Sequence, residues 1–152
     1  MTTYTAEHHA VLYALISRQL RSFIPDPEEY NEVIRSFTVT HGLRRGRYRR
    51  EFADQNGLAP DMVTYRALAE GEIDNSGVSK EFVQRFPYEI VKNLTCPWHE
   101  AWKKYDLMEE GHNYCKYIDA ALLRGFNEEL RMQLLSVHTD GVSDCCEFHW
   151  LD

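Results

Sequence analysis

Residues 112 to 119 read HNYCKYID, which sets a histidine, a cysteine and an aspartate three and four residues apart. On a helix those spacings share one face, so His112, Cys115 and Asp119 are expected to converge. A thiol, a carboxylate and an imidazole together supply a nucleophile, a base and a proton carrier. Cys96 adds a second thiol. It stands immediately before Pro97, the place of a helix cap, where unpaired backbone amides lower a thiol pKa and favour the thiolate. The bland alternatives are small core thiols at Cys96 and Cys115, a solvated carboxylate at Asp119 and an exposed ring at His112. No glycine-rich phosphate loop, GxSxG elbow, HExxH or paired CxxC occurs, so motif spacing alone does not choose between them.

The elements that must position these residues follow from periodicity. Val11, Leu12, Leu15, Ile16 and Leu20 recur at helical spacing and predict a helix over about residues 5 to 22. FIPDPEEY opens a second, with Asp26 as cap, Pro27 in the first helical position and Glu28 and Glu29 beside the positive end of the dipole. Its apolar face is expected to run through Tyr30, Val33, Ile34, Phe37, His41, Tyr48 and Phe52, weakened by Gly42 and Gly46. A short helix from Pro60 to Glu70 ends at Gly71, before the turn-rich IDNSG. VSKEFVQRF and YEIVKNLT read as strands divided by Pro87. In TCPWHEAWKKY the residues Trp98, Ala101, Trp102 and Tyr105 form a helical apolar stripe.

Asp106, with Glu109 three positions on, then has the pattern of a capping box. The helix it opens is expected to run unbroken to about Gly125 with Met108, Gly111, Cys115, Ile118 and Leu122 on one side. LRMQLLSVHTDGVSDCCEFHW reads as a hairpin about Asp140 and Gly141. A three-residue loop, Asp140 to Val142, pairs Leu134 with Phe148 and Met132 with Trp150, which turns Cys146 inward and Cys145 outward.

At 152 residues the chain fits a single domain, 1–152, with a continuous core. Its 43% hydrophobic content is that of a folded protein. The formal charge of −7 argues against general nucleic-acid binding. RRGRYRR, from Arg44 to Arg50, is the local exception, expected to be a solvated face or a partner surface. No stretch reaches the roughly 18 apolar residues of a membrane span. MTTYTAEHHA resembles no signal peptide, so a cytoplasmic, reducing location without disulfides is expected.

Taken together, CPWHEAW (Cys96 to Trp102), HNYCKYIDAALLRGFNEEL (His112 to Leu130) and CEF (Cys146 to Phe148) resemble the L-2-amino-thiazoline-4-carboxylic acid hydrolase family over about residues 80 to 150. The resemblance implies an α+β fold: N-terminal helices packed with a small antiparallel β-sheet and a C-terminal β-hairpin. It also implies a hydrolase that opens a small cyclic amidine or sulfur heterocycle, with a small-molecule substrate and no required cofactor. In that reading Cys115 and Asp119 carry the chemistry, Cys96 and Cys146 complete the thiol set, His99 or His112 moves protons, and Arg124 can meet a substrate carboxylate. The match to CEF selects Cys146 over Cys145. The alternative is a binding or sensor module without catalysis, in which Cys96, Cys115 and Cys146 hold zinc or another soft metal. A homo-oligomer is open, with Trp98, Trp102 and Trp150 as candidates for an apolar interface.

Overall fold

A computed structural model describes the backbone of residues 2–68, 79–85, 88–140 and 146–151, and the side chains of most of these, with 2–5, 79–85, 88–95, 138, 146–148 and 150 described as backbone only. Helices predominate: α1 (Thr2–Phe23), α2 (Pro27–Gln55), α3 (Met62–Ala67), α4 (Pro97–Lys104), α5 (Met108–Cys115) and α6 (Ile118–Phe126). Four strands, β1 (Ser79–Arg85), β2 (Tyr88–Thr95), β3 (Arg131–Ser136) and β4 (Cys146–Leu151), pair antiparallel in the order β1-β2-β4-β3.

The start of α2 follows from its sequence. The Asp26 carboxylate accepts from the Glu28 and Glu29 amides at 2.8 and 2.9 Å, and Pro27 fills the first helical position, where no amide is needed. The buried face of α2 differs from the apolar one expected. Tyr30, Ile34, Thr38, Gly42, Gly46, Arg49 and Ala53 are buried, while Phe37 is 54% and Tyr48 61% exposed. Close helix packing accounts for this, because small residues allow backbones to meet. A Cβ built on Gly42 would lie 2.6 Å from Ala121 Cβ, and one on Gly46 only 2.1 Å from the Leu122 carbonyl oxygen. Thus α2 crosses α6 at Gly42 and Gly46. The same rule turns α1, whose inner face is Ala6, Ala10, Tyr13, Ala14 and Ser17, leaving Leu12, Leu15 and Ile16 exposed.

At the C-terminus of α4 the backbone closes as a Schellman turn. Leu107 donates to the Trp102 carbonyl at 2.8 Å, and Asp106 takes a left-handed conformation at φ 55°. Aspartate tolerates that region better than most residues. This corrects the capping-box expectation: Asp106 ends α4 rather than capping α5, whose cap residue Leu107 makes no side-chain capping bond.

Trp102, fully buried, centres the larger core with Ala10, Tyr13, Tyr30, Ile34, Leu107, Tyr114, Ile118 and Leu122. Its indole N–H donates to the Ala10 carbonyl at 2.8 Å. Replacing Trp102 by Phe leaves that carbonyl buried without its donor and opens a cavity. A loss of about 2–4 kcal/mol is expected in urea unfolding. A second cluster, Ala53, Met62, Tyr65, Leu68, Leu123 and Phe126, receives Leu130 and Met132 at the edge of the sheet.

The hairpin register is the expected one, with Met132 opposite Trp150 and Leu134 opposite Phe148. Its connection is longer than three residues: β3 stops at Ser136, a 3-10 turn occupies His138–Asp140, and β4 starts at Cys146. The inward or outward turn of Cys145 and Cys146 and the turn at residues 71–77 lie outside the described side chains and residues. Among the described residues no helix is long and apolar enough to cross a membrane.

Candidate functional site

The unbroken helix expected through HNYCKYID is two helices. α5 ends at Cys115 and α6 begins at Ile118, with Lys116 and Tyr117 forming the turn between them. No proline or glycine marks the break, so periodicity runs through it. His112 and Cys115 therefore share an element, while Asp119 sits in the first turn of the next.

His112 Nδ1 lies 3.2 Å from Thr139 Oγ1, in the 3-10 turn before β4. Burial, then nearby Lys116, hold its pKa below the ordinary histidine value, with Asp140 opposing them. This ring ties α5 to the hairpin. Cys115, half-buried, packs against the larger core and, like Met132 and Leu134, against Val137. It thus meets the residue that follows β3, and it acts electrostatically on Tyr13 and Tyr114.

The Asp119 carboxylate, on α6, acts electrostatically on the Cys96 thiol, at the start of α4. Cys96 caps α4 by position, and the backbone amides of Trp98 and His99 approach its sulfur without a formal capping bond. The expected fall in its pKa is reversed. Burial pushes the thiol up, the two amides pull it down by less, and the Asp119 and Glu100 carboxylates push it further up. Cys96 is therefore a protonated thiol at neutral pH. Because the folded protein keeps a proton that the unfolded chain releases above about pH 8.5, Cys96 costs no stability below that pH and destabilises the fold as pH rises past it. Alkylation of Cys96 by iodoacetamide, read by peptide mass spectrometry, is expected to show a midpoint above that of the urea-unfolded chain; a lower midpoint contradicts the assignment.

The basic run contributes what the sequence did not lead one to expect. Arg49 is 4% exposed. Its guanidinium lies 5.5 Å from the centre of the Tyr65 ring and hydrogen-bonds that side chain, and it is also coupled to Asp119. Burial lowers the Arg49 pKa, although an arginine stays charged in any ordinary range. Arg45, half-buried one turn earlier, donates to Tyr114. Both tyrosines are buried, which pushes Tyr65 up to about 12 and raises Tyr114 as well. Tyr114 is fixed by its neighbours: Trp98 stacks on it at 4.8 Å, and Tyr13 and Trp102 meet it edge-on at 4.7 and 5.8 Å. Two arginine–tyrosine pairs therefore accompany Asp119, which is coupled to both phenols.

This placement corrects the reading of Arg44 to Arg50 as a solvated face: Arg44 and Arg47 are exposed, whereas Arg45 and Arg49 turn inward. The available signal was their spacing of four, in step with Gly42, Gly46 and Ala53. Arg124, by contrast, is exposed on α6. His99 is half-buried, with Nδ1 3.4 Å from Glu100 Oε1. Among the described residues no group of three or more His, Cys, Asp or Glu side chains is arranged to hold a metal ion; Cys146, the third thiol of that alternative, lies outside the described side chains.

Comparison with known proteins adds two findings. A family model described as L-2-amino-thiazoline-4-carboxylic acid hydrolase matches residues 4–150, so the match extends beyond the C-terminal half. Among solved structures, a trafficking protein particle complex subunit 3 from Naegleria fowleri, covalently bound to palmitic acid, aligns with a TM-score of 0.60 at 16% identity, covering 97% of this chain and 94% of that one. At that identity the likeness is one of fold. No curated protein matches the chain.

Proposed function

Because the chain belongs to the L-2-amino-thiazoline-4-carboxylic acid hydrolase family, we propose that the centre around Asp119 hydrolyses a small cyclic amidine of the 2-amino-thiazoline type. The observation that carries this reading is that the Asp119 carboxylate acts electrostatically on both a half-buried thiol, Cys96, and a buried cation, Arg49. A base, an acid and a fixed positive charge within electrostatic reach of the base are what the ring opening requires.

The residues can divide the work as follows. Asp119 takes a proton from water as the water oxygen bonds to the ring carbon between sulfur and nitrogen. The carbon to sulfur bond then breaks as the added oxygen passes its remaining proton to the ring nitrogen and becomes the carbonyl, and the departing ring sulfur takes the proton of the Cys96 thiol. Asp119 returns its proton to Cys96, so the site is restored and the product is an N-carbamoyl cysteine. Burial keeps the Cys96 thiol protonated, so a proton is present to be given, and return of the Asp119 proton to Cys96 draws the transfer to completion. His99, whose backbone amide approaches the Cys96 sulfur, is the nearer histidine for proton exchange with solvent; His112 is engaged by Thr139.

Attack by Cys115 on the same carbon is the second route, favoured by its place beside Tyr114 at the junction of α5 with the hairpin. Single substitutions separate the two. Cys96→Ala is expected to lower turnover of L-2-amino-thiazoline-4-carboxylate by about 10²-fold or more, with Cys115→Ser retaining turnover; the reverse pattern assigns the attack to Cys115. Equal, undiminished turnover in both folded variants overturns the thiol site. The acyl chain held by the structural neighbour suggests an apolar cargo instead. A buried guanidinium and a carboxylate that acts on both it and the thiol favour a small polar ligand here, because an acyl chain would cover them without replacing their solvation.

A further inference from the structure

Helices α1 and α2 run side by side in opposite directions. His9 acts electrostatically on His41, the Tyr13 and Phe37 rings stack with centroids 6.1 Å apart, and the Arg21 guanidinium lies 5.5 Å from the centre of the Tyr30 ring. Partners on α2 thus fall in number as positions on α1 rise. On the outer side of α1, Leu12, Ile16 and Phe23 recur at spacings of four and seven, the period of one helical stripe, with Leu15 beside them. Val33 and Phe37, four apart, continue the surface on α2, and the stacking of Phe37 on Tyr13 joins the two stripes. These six side chains are exposed by between 36% and 74%.

The α1 stripe carries no acid or base: His8 and Gln19 interleave it. The charges of α1 point elsewhere, Glu7 to Lys104, Arg18 to Glu110 and Arg21 to Glu109. An aromatic side chain offers roughly 150–250 Å², so covering the six removes on the order of 600 Å² per chain. That lies at the top of the range left bare on a monomer, and a polar rim brings it to the roughly 800 Å² per partner of a stable interface. Two chains of formal charge −7 repel, and they meet at least cost through an uncharged stripe. A helix that lies on a membrane carries basic residues on its polar face, whereas Arg18 and Arg21 of α1 are held by glutamates.

We propose that the protein is a homodimer in which the α1–α2 face of one copy meets the same face of a second about a two-fold axis, forming a four-helix layer. The dimer does not depend on the reaction assigned to Asp119. Trp102, an interface candidate from the sequence, is fully buried in the core and has no part in it.

Sedimentation velocity of the full chain tests the proposal. Wild-type protein is expected to sediment at twice the chain mass at about 10 μM and above. Ile16→Glu and Phe37→Glu replace exposed residues but place a carboxylate within the interface, and each is expected to weaken association by about 10²-fold or more. Val63→Glu, at a 71% exposed position on α3, is expected to leave the dimer intact; circular dichroism reports whether each variant is folded. Loss of the dimer in either folded interface variant, with Val63→Glu still dimeric, supports the proposal. A wild-type chain that stays monomeric up to about 100 μM overturns it, whatever else then covers the face. So does a dimer that survives both interface charges, or one that Val63→Glu disrupts as readily.

Discussion

Asp119→Asn is expected to lower kcat/KM for a 2-amino-thiazoline substrate by about 10²–10⁴-fold, the range ascribed to a positioned general base. Asparagine has nearly the same shape, so steric change contributes little. The carboxylate sits in the first turn of α6 and interacts with Cys96, Arg49, Tyr65 and Tyr114, and neutralising it acts on each. The Cys96 thiol loses a neighbour that raises its pKa, so its alkylation midpoint is expected to shift down in the same variant. Arg49 loses an interaction that raises its own pKa, and a buried cation without its counter-charge destabilises the fold. Kinetics, alkylation and urea unfolding on one variant therefore give three linked readouts. A rate loss with no movement of the Cys96 midpoint would mean that the two residues do not communicate.

Gly46→Ala is expected to be the most damaging single methyl in the described helices. Its Cβ would lie 2.1 Å from the Leu122 carbonyl oxygen and 2.7 Å from both Gly125 Cα and the Phe126 amide nitrogen. All three are backbone atoms, which no side-chain rotation relieves. Alanine gains about 1 kcal/mol over glycine in helix propensity, against an overpacking cost of about 1–3 kcal/mol, occasionally more. At 2.1 Å the upper end applies, and a net fall in urea stability is expected. Since α2 also carries Arg49, widening its crossing with α6 weakens the interaction of that guanidinium with Asp119. Activity should then fall more steeply than the folded fraction alone explains. Unchanged stability would contradict the crossing.

What the sequence made legible, and what it hid, divides along one physical line. Local signals carried through: the Asp26 and Pro27 start of α2, the strand segments at 79–85 and 88–95, and the pairing of Leu134 with Phe148. Caps and strand parity depend on a few adjacent residues. Helix faces depend on what packs against them, and there apolar periodicity misled. On α1 and α2 it pointed to Leu12, Leu15, Ile16, Phe37 and Tyr48, which are exposed, because alanine, serine, threonine and glycine fill much of the actual faces beside Tyr13, Tyr30 and Ile34. The inward arginines were hidden for the same reason, as a run of five basic residues conceals which two lie on the glycine stripe. Asp106 looked like a cap because its spacing to Glu109 is right, yet the left-handed close of α4 claims it first. Within the site, Asp119 acts on Cys96 from another element, and no spacing rule reaches that far.

The central claim is that this chain opens a cyclic amidine at an Asp119-centred site, and the most direct test is to incubate the purified protein with L-2-amino-thiazoline-4-carboxylate and follow the solution by mass spectrometry. The account predicts that the substrate disappears as a product carrying one added water and a free thiol accumulates, and that Asp119→Asn stops this while remaining folded. Substrate left intact by folded wild-type protein, or consumed equally fast by the Asp119→Asn variant, would contradict it.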